Sequence, residues 1–253
     1  MSFPSATIII RTLNEAEKLR FLLGRLREQK YGGRLEFVVV DNESRDDTRT
    51  VAEYFRAKVV ILPRNQFTFP KSMNVGARQA SGEILVFTVG HALPKNNRWL
   101  MSGLRHFVDE TKRVGGVYSP IIPHKLPGYP KRTLAEIFFY YPKYLQALIK
   151  GTHIVKKGGM GVLGATNCAV RKVIWENHNF NESYECGGED GEMAKWIRNN
   201  GWNIVCDPEF AVYHSHGGGV GKVVRQFRYW SRLGGPTKFD PKKLDFRDDL
   251  DFS

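Results

Sequence analysis

The sequence has no long apolar run. No stretch approaches the roughly 18 residues a membrane-spanning helix needs, and the best candidate, Ile137 to Ile149, is broken by Pro142 and Lys143. Met1–Ala6 carries no basic residue, and Ile8–Ile10 is too short for a signal-peptide core. Neither a spanning segment nor a secretory leader is expected. Cysteine is scarce. Cys168, Cys186 and Cys206 are odd in number and lack Cys-x-x-Cys spacing, which argues against a disulfide framework or a structural zinc site. They read as small buried residues in a reducing, cytoplasmic compartment. No Gly-x-Gly-x-x-Gly follows the first apolar run; Arg11-Thr-Leu-Asn-Glu15 stands there instead, which argues against NAD or FAD. His-Glu-x-x-His is missing, as are helix-turn-helix, RRM-like and zinc-finger patterns. Acidic residues are in deficit: 26 Asp and Glu face 38 Lys and Arg, a net charge of +12. Such a balance suits nucleic acid, an anionic membrane surface or a phosphorylated small molecule.

What is present is an alternation. A chain of 253 residues suits one large α/β domain. Short β-branched runs at Thr7–Ile10, Leu35–Val40, Val59–Leu62 and Ile84–Val89 read as buried strands. Between and after them, Leu13–Arg27, Thr50–Phe55, Lys71–Ala80 and Asn97–Val108 read as helices. Strand and helix alternating in this way predict βαβ units and a mostly parallel sheet flanked by helices. Ligands of such sheets sit at the carboxyl ends of the strands, here Arg11–Glu15, Asp41–Asp46, Pro63–Phe69 and Gly90–Pro94.

The second half is less regular. Val117–Pro130 is expected to be loop or meander, Leu134–Ile149 one helix or two broken ones, and Lys156–Gly164 a basic, Gly-rich loop. Ala165–Val170 reads as a strand, Glu189–Asn199 as a helix stopped at Asn200-Gly201, and Trp202–Cys206 and Phe210–Tyr213 as short strands. Lys238–Ser253 alternates charges as an irregular tail.

Three polar groups stand out. Asp41-Asn-Glu-Ser-Arg-Asp-Asp-Thr48 follows a buried strand, where an acidic group can accept from a base or ribose; equally, Asp46 or Asp47 can cap the next helix. In Val212-Tyr-His-Ser-His-Gly217 two histidines two positions apart share one side of an extended segment, so both could reach one ion. Glu189-Asp190 opens a helix, where carboxylates are also favoured electrostatically.

Taken in order, the motifs resemble glycosyltransferase family 2, with its GT-A (Rossmann-like) fold. The resemblance runs from Ala6 to about Gly217. Thr7-Ile-Ile-Ile-Arg-Thr-Leu-Asn-Glu15 is similar to the opening strand and its Asn-Glu turn. Val38-Val-Val-Asp-Asn-Glu-Ser-Arg-Asp-Asp-Thr48 resembles the nucleoside-gripping segment, and Lys71-Ser-Met-Asn-Val-Gly-Ala-Arg-Gln-Ala-Ser-Gly-Glu83 the helix entering the metal strand. Gly164–Arg171, Phe180-Asn-Glu182 and Gly188-Glu-Asp190 look like acceptor-side segments. One place departs from the pattern. The family's Asp-x-Asp is replaced by Val89-Gly-His91.

The resemblance implies an inverting transferase that moves a sugar from a nucleotide-diphosphate donor to a hydroxyl acceptor, such as a glycan or lipid-linked saccharide in polysaccharide biosynthesis. It implies Thr12, Asn14, Glu15, Asp41, Ser44, Lys71 and Asn74 at the nucleotide sugar. His91 and His214 would hold a divalent ion, Mn²⁺ or Mg²⁺, with His216 the competitor for the second place. Alternatively, metal binding is lost and His91 meets phosphate directly. Asp190, beside Glu189, would be the general base, since an acceptor hydroxyl must lose its proton as it attacks. Lys156, Lys157 and Arg171 are further candidates for phosphate. The expected layout is one domain over residues 1–253: a nucleotide-sugar half to about 115, an acceptor and catalytic half over about 116–220, and a basic-aromatic segment and tail from about 221.

The sequence leaves other readings open. His214, His216 and nearby carboxylates could serve a metal-dependent hydrolase, and Val89 keeps open an inactive sugar-nucleotide-binding relative. Nucleic acid is not expected as a partner. The surplus charge, with Leu134–Ile149 and Val223–Trp230 mixing basic and aromatic residues, suits peripheral docking on an anionic membrane.

Overall fold

The computed structural model describes residues 3–123, 134–158, 161–185, 187–215 and Gly221. The first hundred residues form strands β1 (Ala6–Thr12), β2 (Leu35–Asp41), β3 (Lys58–Ile61) and β4 (Ile84–Val89), linked by helices α1 (Ala16–Arg27), α2 (Thr48–Tyr54) and α3 (Phe69–Arg78). β5 (Leu93–Pro94) and α4 (Trp99–Leu104) follow, then β6 (Val114–Tyr118), α5 (Leu134–Lys150) and β7 (His153–Ile154). β8 (Asn167–Arg171), α6 (Lys172–Asn177), α7 (Glu189–Asn199), β9 (Asn203–Cys206) and β10 (Val212–Tyr213) complete the described elements.

The main sheet has the order β3-β2-β1-β4-β8-β6-β9-β7. The first four strands are mutually parallel, β8 is antiparallel to both β4 and β6, and β9 is parallel to β6. Six strands therefore run one way, against β8 and β7. This is the mainly parallel, helix-flanked sheet expected from the alternation, and β4 has the boundaries read from the sequence.

Successive residues of a strand face opposite sides, and the core divides accordingly. Ile8, Ile10, Val39, Ile84 and Val86 pack with α1, α2 and α4 on one side. Ile9, Val38, Val40, Leu85 and Phe87 pack with α3, α6 and α7 on the other. With both faces covered, the inner stretches Ile8–Ile10, Val38–Val40 and Ile84–Phe87 are apolar throughout. Burying one such side chain contributes roughly 1.5–3 kcal/mol before entropy is counted, so the centre of the sheet is a rigid base for the loops at its edge.

Several expectations are corrected. Val117–Pro130 is not loop from its start, because Val114–Tyr118 forms β6 inside the sheet. Leu134–Lys150 is one helix with Pro142 within it. The loop before β8 leads into β8 at Asn167, and α6 follows it directly. Among the described residues no helix is long and apolar enough to cross a membrane. Cys168 and Cys206 are buried free thiols; Cys186, His216 and the Val223–Trp230 segment lie outside the described residues.

Candidate active site

A cleft of about 1090 Å³ opens over the carboxyl ends of β1 and β4. Thr12, Glu15, Val89, His91, Glu189, Asp190 and His214 all line it, although they span two hundred positions of sequence.

The end of β1 is tied to its neighbours first. Asn14 turns the chain at φ 50°, a conformation Asn tolerates better than most residues. Its amide donates to Ser44 Oγ at 2.9 Å and its Oδ1 accepts from the Arg45 amide at 2.8 Å. Ser44's own amide donates to Asp41 Oδ2 at 3.0 Å. Asp46 accepts from the amides of Ala16 and Thr48, so it serves the starts of both α1 and α2. Asn14, Ser44 and Asp46 thus clamp the loop after β1 to the loop after β2. Asp41 is wholly buried; its Oδ1, and Oδ1 of Asn42 beside it, have no hydrogen-bond partner among the described residues. Buried polar atoms are seldom left so, and Asn42 lines the cleft.

A polar chain runs on from Thr12. Its hydroxyl donates to Glu15 Oε2 at 2.9 Å, and Glu15 Oε1 lies 2.5 Å from His91 Nδ1. His91 Nε2 in turn faces His214 Nε2 at 3.0 Å, with the rings stacked at 26° and centroids 4.8 Å apart. All four residues are buried. Two short elements bring the histidines together. β5 pairs antiparallel with β10 as Leu93↔Tyr213 and Pro94↔Val212; one further step of that register sets His214 opposite Ala92. Gly90 permits the approach from the other side. A Cβ there would stand 2.4 Å from Glu15 Oε2 and 2.6 Å from Thr12 Oγ1, so only glycine fits between Val89 and His91.

These residues fit a divalent ion. Glu15 accepting from Nδ1–H would fix the tautomer that presents the His91 Nε2 lone pair, the usual outer support of a metal-binding imidazole. At 3.0 Å the two Nε2 atoms are at hydrogen-bond distance from each other; two nitrogens each about 2.1 Å from one ion across a right angle would stand equally far apart. Among the described residues no group of three or more His, Cys, Asp or Glu is placed to hold a metal ion, so any ion bound here would need further ligand atoms from outside the protein.

The carboxylates come from α7. Gly187 and Gly188 precede it at φ 116° and 104°, a region open to glycine and strained for other residues. This turn presents Glu189 and Asp190 to the cleft on the first turn of the helix. Glu189 is buried, with Oε2 lacking a hydrogen-bond partner among the described residues, and Asp190 is half-buried, with Oδ1 accepting from the Gly191 amide at 2.7 Å. Burial raises the pKa of both, and for Glu189 the adjacent Asp190 charge adds to it. Opposing this is Arg11, whose charge favours both ionised carboxylates. Arg11 lines the cleft with its guanidinium 5.2 Å over the Phe69 ring and its Nε buried without a partner among the described residues. Burial lowers its own pKa against the pull of Glu189 and other nearby groups. The sequence marks Arg11 only as the one charge in an apolar strand.

Other candidates lie elsewhere. Asn74 is buried and spends its amide on Phe180, Glu182 and Trp175; it fastens α3 to the segment after α6 and does not line the cleft. Lys71 Nζ donates to Gln66 Oε1 at 3.0 Å. Arg171 donates to the carbonyls of Val114 and Phe107 and lies over the Phe107 and Trp202 rings. Neither Lys71 nor Arg171 lines the cleft, whereas Lys157 does.

Comparison with known proteins decides the family. The family described as Glycosyl transferase family 2 matches residues 7–173, about two thirds of the sequence. The chain belongs to glycosyl transferase family 2. As a glycosyltransferase it has relatives with related names. O-antigen chain rhamnosyltransferase WbaN of Salmonella anatum is 24% identical over 216 residues, which cover 84% of this chain and 67% of that protein. Glycosyltransferase AglE of Haloferax volcanii is 32% identical over 109 residues, 41% of this chain and 35% of that one. The glycosyltransferase thus spans about one to two thirds of the length of these curated relatives. A mannosyltransferase from Pyrobaculum calidifontis, solved with GDP-Man and Mn²⁺, superposes with a TM-score of 0.65 at 20% identity over 94% of this chain and 67% of its own. That likeness shows the GT-A fold. The family match stops before α7, so Glu189, Asp190 and His214 are placed by geometry alone.

Proposed function

We propose that this glycosyltransferase moves a sugar from a nucleotide-diphosphate sugar to a hydroxyl acceptor with inversion, and that Asp190 is its general base. One observation carries the reading: a facing imidazole pair and a pair of elevated carboxylates share one cleft. The Pyrobaculum neighbour holds GDP-Man and Mn²⁺, and a Staphylococcus aureus neighbour, TarS, with a TM-score of 0.60 at 20% identity, was solved with UDP-GlcNAc.

The donor's nucleoside lies over the β1 and β2 ends, where Thr12, Glu15 and the orphaned oxygen of Asn42 line the cleft and accept hydrogen bonds, while buried Asp41 supports the turn beneath. Asn14 and Ser44 hold that floor together. His91 and His214 are the protein ligands of a divalent ion, which supplies charge neutralisation for the leaving diphosphate when bound. Asp190 takes the acceptor's proton as the acceptor oxygen bonds to the anomeric carbon. The bond from that carbon to the diphosphate breaks, and the nucleoside diphosphate leaves. A base works best with a pKa near the working pH, which is the direction burial moves Asp190. Glu189, more deeply set, keeps the pair's charge coupled to Arg11. In this reading residues up to about 115 serve the donor and about 116–220 the acceptor and catalysis.

Asp190→Asn tests the assignment. Turnover should fall by about two to four orders of magnitude, with donor affinity within about threefold of wild type. Full turnover by the variant overturns it.

A further inference from the structure

Helix α5 is polarised the wrong way round for a helix in water. Leu134, Phe138, Tyr141, Leu145, Leu148 and Ile149 are exposed, from 38% for Tyr141 to 87% for Ile149. Glu136 is buried and Lys143 half-buried. At the helical period of about 100° per residue, the six apolar side chains fall within one arc of about 100°. The opposite arc carries Tyr140, Lys143, Gln146, Ala147 and Lys150, which line the cleft. One helix is therefore the cleft wall on one side and an apolar ridge on the other. A contiguous exposed ridge of this kind marks an interaction surface.

We propose that α5 docks the chain on an anionic lipid bilayer, with the ridge entering the boundary between head groups and acyl chains. Charge selects this occupant. Lys156, just past β7, is exposed, Lys150 at the end of the helix and Lys157 are exposed while also lining the cleft, and Lys131 and Arg132 precede its first turn in the sequence. Basic residues flanking an apolar helical face are the signature of an interfacial helix, and each near the surface adds attraction to anionic lipid. A second copy of the chain would bring basic ends onto basic ends, with +12 on each partner. The docked helix leaves its opposite face on the cleft. Resting on the glycosyl-transfer reading above, an acceptor anchored in the same bilayer would then reach Asp190 along α5.

The test is flotation of the full chain with vesicles of phosphatidylcholine alone and with about 30% phosphatidylglycerol. Wild type should bind the anionic vesicles, and the double variant Phe138→Glu, Leu145→Glu should lose at least about tenfold in partitioning. Its melting temperature should not change, because both side chains are exposed. A photo-crosslinker at position 138 should label lipid. The proposal is overturned if wild type ignores anionic vesicles, or if partitioning is indifferent to the double substitution. It is also overturned if position 138 crosslinks to a second copy or to residues 222–253 with vesicles present. Sugar transfer to a soluble acceptor should survive the double variant, so loss of docking and failure of the transfer reading are distinguishable.

Discussion

The Nε2 atoms of His91 and His214 face each other at 3.0 Å, and Glu15 stands behind His91 at 2.5 Å. If both rings hold one ion, removing either should weaken Mn²⁺-dependent nucleotide binding at least about tenfold, and Glu15→Gln about tenfold through the tautomer it fixes. His91→Ala and His214→Ala should also be non-additive, because the second ligand has little left to hold once the first is gone. Calorimetric titration of nucleoside diphosphate with and without Mn²⁺ reads all three. Binding indifferent to the metal in wild type would remove the ion from the scheme.

Gly90 makes that constellation possible by having no side chain. A methyl group at this position would overlap both Glu15 and Thr12. Gly90→Ala should therefore displace Glu15 from His91, at about 1–3 kcal/mol in stability, and should weaken metal-dependent binding as Glu15→Gln does. Urea denaturation beside the same titration separates the two effects; a variant less stable but with unchanged metal dependence would dissociate Gly90 from the site.

The parallel half of the fold was legible because buried strands advertise themselves. Ile84–Phe87 and Val38–Val40 are apolar throughout, since helices cover both faces. β6 escaped because Val114-Gly-Gly-Val-Tyr118 is weak as a strand by composition. Neighbours crowd both glycines: a Cβ at Gly115 would lie 2.6 Å from Ile174 Cδ1 and 2.9 Å from Trp202 Cβ, and one at Gly116 2.8 Å from Leu163 Cδ2, whose side chain would have to move. From the strand ends, the sequence pointed to Thr12, Glu15 and His91, which share one cleft. The site was not legible where a side chain's destination depends on distant sequence. Asn74 reaches Phe180, 106 positions away, and Arg11 meets the field of Glu189 and Asp190 only once the start of α7 and the end of β1 share one cleft.

Asn74 illustrates the consequence. It donates to Phe180 O at 2.8 Å and Glu182 Oε1 at 3.0 Å, and accepts from Trp175 Nε1 at 2.9 Å and the Phe180 amide at 3.1 Å. Asn74→Ala leaves a buried indole N–H and a buried amide unsatisfied, a loss of about 2–3 kcal/mol. Donor affinity should stay within about twofold of wild type. A tenfold fall in affinity with unchanged stability would instead place Asn74 on the nucleotide sugar.

Arg11 should set where activity begins on the acid side. Burial raises Glu189 and Asp190, and the positive charge of Arg11 counters part of that rise. A base acts when deprotonated, so activity is lost as pH falls through its pKa. Removing the cation lets that pKa climb further, so the acid limb of the kcat profile should move to higher pH. For Arg11→Gln the displacement should be about one pH unit, the lower end of what a neighbouring opposite charge does. Arg11→Lys keeps the charge and should restore most of the wild-type limb, even if the Phe69 contact is weakened. Steady-state profiles of the three proteins decide between this electrostatic role and simple support of the strand end. Support alone predicts a uniform loss of rate at every pH, with the limb where it was.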